Sequence, residues 1–140
     1  MGESFIRWQN ILINQLSFVN NLVITLNIGV LGYLINFIQN VTILNCFQKF
    51  FFWIASVLII CSLSTGLILV INRLDDFKIT AKIARKRETN KREGIEEDRK
   101  KAKEIGKKTW NLLIWQVSTF FASLICTLVI ILIEYGDKIT

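Results

Sequence analysis

The chain is 140 residues long, 52% apolar and 20% charged, with 17 Lys and Arg against 11 Asp and Glu, a net charge of +6, and neither His nor Pro. That length allows one domain, and the absence of His excludes a Ser/His or Cys/His nucleophilic pair, an imidazole proton switch and any zinc site built on His. The seven glycines form no phosphate-binding loop, and Cys46, Cys61 and Cys126 are too scattered for a CxxC pair, so each cysteine reads as a small hydrophobe. The expectation is a noncatalytic chain with no cofactor and no metal.

Residues 1–17 carry Phe5, Ile6, Trp8, Ile11, Leu12 and Leu16 on one side and Arg7, Gln9, Asn10 and Asn14 elsewhere, the pattern of an amphipathic cytoplasmic helix. The stretch lacks a basic n-region and a small-residue cleavage site, so it does not read as a cleaved signal. No helix breaker separates Ser4 from Gln39, and the helix is expected to run on into the first span rather than stop at the membrane surface.

Three apolar runs follow, at residues 18–38, 50–71 and 110–133. At 1.5 Å per residue they measure roughly 32 to 36 Å, enough to cross a hydrocarbon core of about 30 Å. None holds Lys, Arg, Asp or Glu well inside it, Glu134 falling at the end of the third. Asn20, Asn21, Thr25, Asn27 and Asn36 dilute the first span, which is therefore expected to depend on partner helices. The predicted fold is an all-α membrane protein with three long transmembrane helices.

Between the first two spans, residues 39–49 hold one basic residue, whereas 14 of the 17 fall between Arg73 and Lys108. By the positive-inside rule the second connection lies in the cytoplasm, the N-terminus inside and the C-terminus outside, with Trp110 and Trp115 at the inner interface. Asn40-Val41-Thr42 forms a glycosylation sequon that abuts the membrane, and Cys46 shares that outer loop, where a disulfide between copies is an open alternative.

The basic segment, residues 72–109, has its own periodicity. Leu74, Phe77, Ala81 and Ala84 recur at helical spacing on one arm, and Ile95, Ala102, Ile105, Gly106 and Thr109 on the other. Reversal near Lys91 and Arg92 sets Ala81 against Ala102 and Phe77 against Gly106, a tight hairpin that extends the second and third helices beyond the membrane. Arg85, Lys86, Arg87, Lys91 and Arg92 form its basic surface. The charge is accounted for by topology and by a solvated helical face, since no aromatic residue is interleaved between Lys78 and Lys108, and nucleic acid is not an expected partner.

Polar residues inside the spans are the remaining signal. Asn14, Ser17, Asn21, Thr25, Gly29, Gly32, Asn36 and Gln39 step by three or four residues and form one stripe along the first helix. Shorter stripes run through Ser62, Thr65 and Gly66 and through Gln116, Thr119, Ser123 and Thr127. Two readings stay open: small and amide side chains packing helices together, or a water-filled path lined by the first helix in a homo-oligomer.

The stretches Gln15-Leu16-Ser17-Phe18-Val19-Asn20-Asn21-Leu22 and Asn72 to Arg85 resemble a family of small uncharacterised bacterial three-span membrane proteins. The architecture is loosely similar to the membrane effectors of antiphage defence systems, and that resemblance implies an inner-membrane protein that oligomerises and permeabilises the bilayer when triggered. The stretches cover 22 of 140 residues and carry no residue-level function, and a separate sensor domain is missing, so a trigger would come through a cytoplasmic partner or the hairpin itself. The sequence expectation is an oligomeric pore-forming or membrane-perturbing effector. The alternatives are a noncatalytic scaffold or regulatory subunit that docks a partner through the basic hairpin, and a phage holin.

Overall fold

A computed structural model describes residues 2–41, 45–89 and 94–139, with side-chain surroundings for 11–41, 45–89 and 94–136. It consists of three helices, α1 (Gly2–Asn40), α2 (Cys46–Glu88) and α3 (Ile95–Ile139), and the described residues contain no strand. With no proline to remove a hydrogen bond, each helix runs unbroken for 39, 43 or 45 residues. At the α-helical rise these are roughly 59, 65 and 68 Å, about twice the hydrocarbon thickness. Each holds a stretch long and apolar enough to cross a membrane, so the chain is a multispan membrane protein whose α2 and α3 extend beyond the bilayer as a stem.

A seven-residue repeat organises all three helices. On α2 the buried residues Gln48, Ala55, Ile59, Ser62, Gly66, Leu69 and Ile83 fall on two positions of one heptad. On α3, Thr109, Gln116, Ser123 and Ile130 are seven apart, and on α1 so are Asn20, Asn27 and Leu34. A period of 3.5 keeps one face of each helix turned to its neighbours, the geometry of a left-handed coiled coil. The α2/α3 pair packs along its whole length, whereas α1 is held more sparsely.

The bundle is apolar at one end and polar towards the other. Leu34, Phe37, Ala55, Ile59 and Ile130 form the hydrophobic cluster near the α1–α2 connection. At this end the backbone N–H of Asn45 donates to Gln48 Oε1 at 2.8 Å, and Gln48 Nε2 donates to Glu134 Oε2 at 2.8 Å. The acidic side chain ending the third span is thus tied to the N-terminus of α2, where the helix dipole favours negative charge.

The stem pairs α2 with α3 as expected, but α2 packs on a different face. Its seam holds Ile79 and Ile83 from α2 and Ala102, Ile105 and Thr109 from α3, while Ala81, Ala84 and Gly106 are exposed and Phe77 is half exposed. On α3 the expected residues Ala102, Ile105 and Thr109 lie in the seam, whereas Gly106 and, on α2, Phe77, Ala81 and Ala84 do not. The α2 side was illegible as an apolar pattern because the seam is partly polar. Asn72 Nδ2 donates to Thr109 Oγ1 at 2.7 Å and to the Ile105 carbonyl at 3.2 Å, and Asp98, 6% exposed, lies between Lys82 and Lys86 at 3.3 and 2.7 Å. Leu74 and Phe77 turn instead towards α1, beside Ile13 and Ser17. The expected turn residues Lys91 and Arg92 lie outside the described residues. Gly94 enters α3 with φ +73°, which a side chain rarely adopts, and its carbonyl accepts from the Asp98 N–H at 3.1 Å.

Two outcomes follow for the stem. Ile83→Ala should cost about 2 kcal/mol, whereas Ala81→Leu and Gly106→Leu should stay within about 0.5 kcal/mol, measured by thermal unfolding of the detergent-purified protein. The hydrogen bond from Lys86, then that from Lys82, holds the Asp98 carboxyl below the ordinary carboxylate range. Its contribution is therefore complete above the unfolded value of about 4 and is lost as pH falls through the lower folded value. Acid titration of helicity should show this loss in the native chain and not in Asp98→Asn.

Candidate functional site

Midway along the bundle, all three helices turn polar groups inward. Asn27 on α1, Ser62 on α2 and Gln116 on α3 are fully buried. Asn27 Nδ2 donates to Ser62 Oγ at 2.9 Å and to the carbonyl of Val23 at 2.9 Å, and Ser62 Oγ donates to the carbonyl of Gln116 at 3.0 Å. One relay thus crosses from α1 through α2 to the backbone of α3. In hydrocarbon such bonds hold helices in register, because the alternative is a polar group without a partner.

Gly66, one turn along α2 from Ser62, makes room for this arrangement. A Cβ there would lie 2.5 Å from Gln116 Nε2 and 3.1 Å from Ile24 Cγ1, so the glycine admits the glutamine side chain between α1 and α2. The cluster is not fully satisfied. Asn20 Oδ1, Asn27 Oδ1 and both amide atoms of Gln116 are buried with no hydrogen-bond partner.

Sequence reasoning placed the amide stripe of α1 at the centre of interest, and the structure puts it on the outside of the protomer. Asn14, Ser17, Asn21, Thr25, Gly29, Gly32, Asn36 and Gln39 are all exposed. At 100° per residue, Asn21 and Thr25 lie about 120° and 160° around the helix from buried Asn27. Thr25 Oγ1 donates to the Asn21 carbonyl at 2.9 Å, and Asn36 Oδ1 accepts from Asn40 Nδ2 at 3.1 Å. Gly29 and Gly32 have open space where a Cβ would stand, and Thr25 and Gly29 border an apolar groove of about 360 Å³ against Leu124, Thr127 and Leu128 of α3.

Of the two shorter stripes, Ser62, Gly66, Gln116, Ser123 and Thr127 went inward, while Thr65 and Thr119 are half-buried. Ser62 and Gly66 meet Gln116, with Ser123 and Thr127 buried along the same face of α3, so for these residues helix packing is the reading the geometry gives. Ser123 Oγ and Thr127 Oγ1 satisfy themselves on the carbonyls of Phe120 and Ser123, at 2.7 and 2.9 Å. Of the basic surface, Arg85 and Arg87 are exposed and Lys86 turns to Asp98. Cys46 and Cys61 are exposed and Cys126 half-buried, all as free thiols.

Two groups escaped the sequence reading. Asn20 and Asn27 were seen only as residues that weaken the first span, although their spacing of seven, shared with Leu34, marks them as an inward face. Arg73 was counted as topology charge, yet its Nη2 donates to the carbonyl of Ile13 at 2.9 Å and ties α1 to α2 where the stem begins. Comparison with protein-family models, curated proteins and solved structures finds no match to this chain.

The cluster itself can be tested. Gln116 has two buried amide atoms without partners, so Gln116→Met should leave thermal stability in detergent unchanged or raised by about 1 kcal/mol. Ser62→Ala cuts the relay and should lower it by a similar amount. A large loss in Gln116→Met would mean that its amide is bonded after all.

Proposed function

We propose that the protein is an oligomeric membrane-perturbing effector of the bacterial inner membrane, assembled from identical copies around the exposed face of α1. One observation carries this reading: the stripe from Asn14 to Gln39 faces outward from a protomer that already buries a second set of asparagines against its own helices. Amide groups facing lipid tails are costly, and either a neighbouring copy or water removes that cost. Three spans of one subunit are too few to enclose a pore, whereas several copies can surround one.

The stripe also has a suitable shape for assembly. The amides of Asn21 and Asn36 flank its middle, where Thr25, Gly29 and Gly32 leave a low surface that lets another helix approach closely. In this reading the N-terminus and the basic stem are cytoplasmic, and a trigger reaches the membrane part through the stem. The loose similarity to antiphage effectors makes defence against infection the biological setting we favour. A second reading, a scaffold that docks an acidic partner, draws on the exposed Arg85 and Arg87 on the stem.

Replacing Asn21, Thr25 and Asn36 together by Leu tests the first reading. Ion flux into liposomes and oligomer size in detergent are measured side by side. Lost flux with intact size is the outcome expected of a water path, because an apolar constriction expels water. A broken oligomer would assign the stripe to packing between copies, and unchanged flux through an intact oligomer would remove α1 from the conduction path. Neutral Gln at Arg85 and Arg87 should leave flux as it is; loss of a captured partner in that variant would favour the scaffold.

A further inference from the structure

Where α2 leaves its apolar run at Ile71, α1 and α2 part around a half-open cleft of about 260 Å³. Asn14, Ser17 and Asn20 line it from α1, and Val70, Arg73 and Phe77 from α2. The apolar run ends between Val70 and Arg73, so the cleft straddles the boundary between hydrocarbon and headgroups. Phe77 is 51% exposed and extends an apolar wall on the stem side of that boundary.

The polar groups of the cleft are of two kinds. Arg73 is held in place by its bond to the Ile13 carbonyl and by the Phe77 ring, whose centre is 5.9 Å from its guanidinium carbon. A guanidinium has five N–H donors in a planar fork that matches phosphate oxygens. Asn20 is of the other kind: it is 2% exposed, and its Oδ1 is enclosed at the membrane end of the cleft. A ligand for Arg73 must bring an anion, with an apolar part to cover Val70 on the membrane side.

We propose that this cleft binds an anionic phospholipid, its phosphodiester on Arg73, its headgroup beside Phe77 on the stem side, and an acyl chain along Val70 on the membrane side. Phosphatidylglycerol carries the net charge this needs, whereas phosphatidylcholine does not. Basic pockets between membrane helices at the headgroup level are suited to such lipids. Asp76, three residues beyond Arg73, sets a negative charge beside the guanidinium and moderates its hold on the anion. Lipid bound here would brace α1 against α2 at the point where the stem begins. The inference needs only that the chain crosses a bilayer, and it stands whether or not the assembly conducts ions.

The test is native mass spectrometry of the full chain in mild detergent, titrated with phosphatidylglycerol, with phosphatidylcholine of the same acyl chains, and with soluble glycerol phosphate. Phosphatidylglycerol should be retained about tenfold over phosphatidylcholine, and Arg73→Gln should remove most of that preference. Arg85→Gln, on the exposed stem, should leave it unchanged. Asp76→Asn keeps the Arg73 bond to Ile13 and should raise retention several-fold, so the charge is tested in a variant that preserves the clamp. Equal retention of the two lipids would overturn the proposal, as would an equal effect of Arg73→Gln and Arg85→Gln or no gain in Asp76→Asn. Saturation by glycerol phosphate alone at the same concentration would assign the cleft to a soluble ligand instead.

Discussion

The α2/α3 seam is the constraint from which the other features follow. It runs without interruption from Gln48 at one end of the membrane part to the Asp98 ion pairs in the stem, because a seven-residue repeat continues through the bilayer boundary and no proline interrupts it. Inside the bilayer the seam cannot draw on the hydrophobic effect, since lipid tails are as apolar as leucine, and it relies on close approach and on hydrogen bonds. Gly66, Ser62 and Ser123 supply the first, and the Asn27–Ser62–Gln116 relay the second. Outside the bilayer the same register is held by Ile79 and Ile83, by Asn72 on Thr109 and by Asp98 between two lysines.

Against this rigid pair, α1 is the adjustable element. It is tied at one end through the hydrophobic cluster, in the middle by Asn27 and at the stem by Arg73. Its remaining faces look outward, one apolar through Phe18, Leu22 and Leu26, the other the stripe from Asn14 to Gln39. Two of its contacts with the pair are polar groups left incompletely satisfied, Asn20 and Asn27. This helix carries both the exposed stripe and the incompletely satisfied amides, which is why the proposed conduction path and the proposed lipid site both involve it. Interfacial lipid at the cleft would act on the same helix that carries the proposed contacts between copies.

The sequence by itself determined the membrane class and the number and length of the helices. Runs of apolar residues longer than twenty have one physical solution in a bilayer, since only a helix satisfies every backbone group without water. The absence of proline likewise decided that α2 and α3 continue into the stem. What the tertiary structure alone decided is which face of each helix is turned inward. On α1, Asn20 lies one residue from Asn21 and Asn27 two residues from Thr25 and Gly29, about 100° and 160° away on the helix, and both rows are equally polar in a sequence whose inside and outside are both apolar. With no contrast between core and solvent, hydropathy cannot rank them. The choice falls instead to shape: the glycine at position 66 that admits Gln116, and the serine at 62 that meets Asn27. The stem shows the same logic in water, where Leu74 and Phe77 gave the apolar signal but serve α1, and the true seam hides its register in Asn72, Asp98 and Thr109, residues whose pairing across helices no single-helix pattern contains.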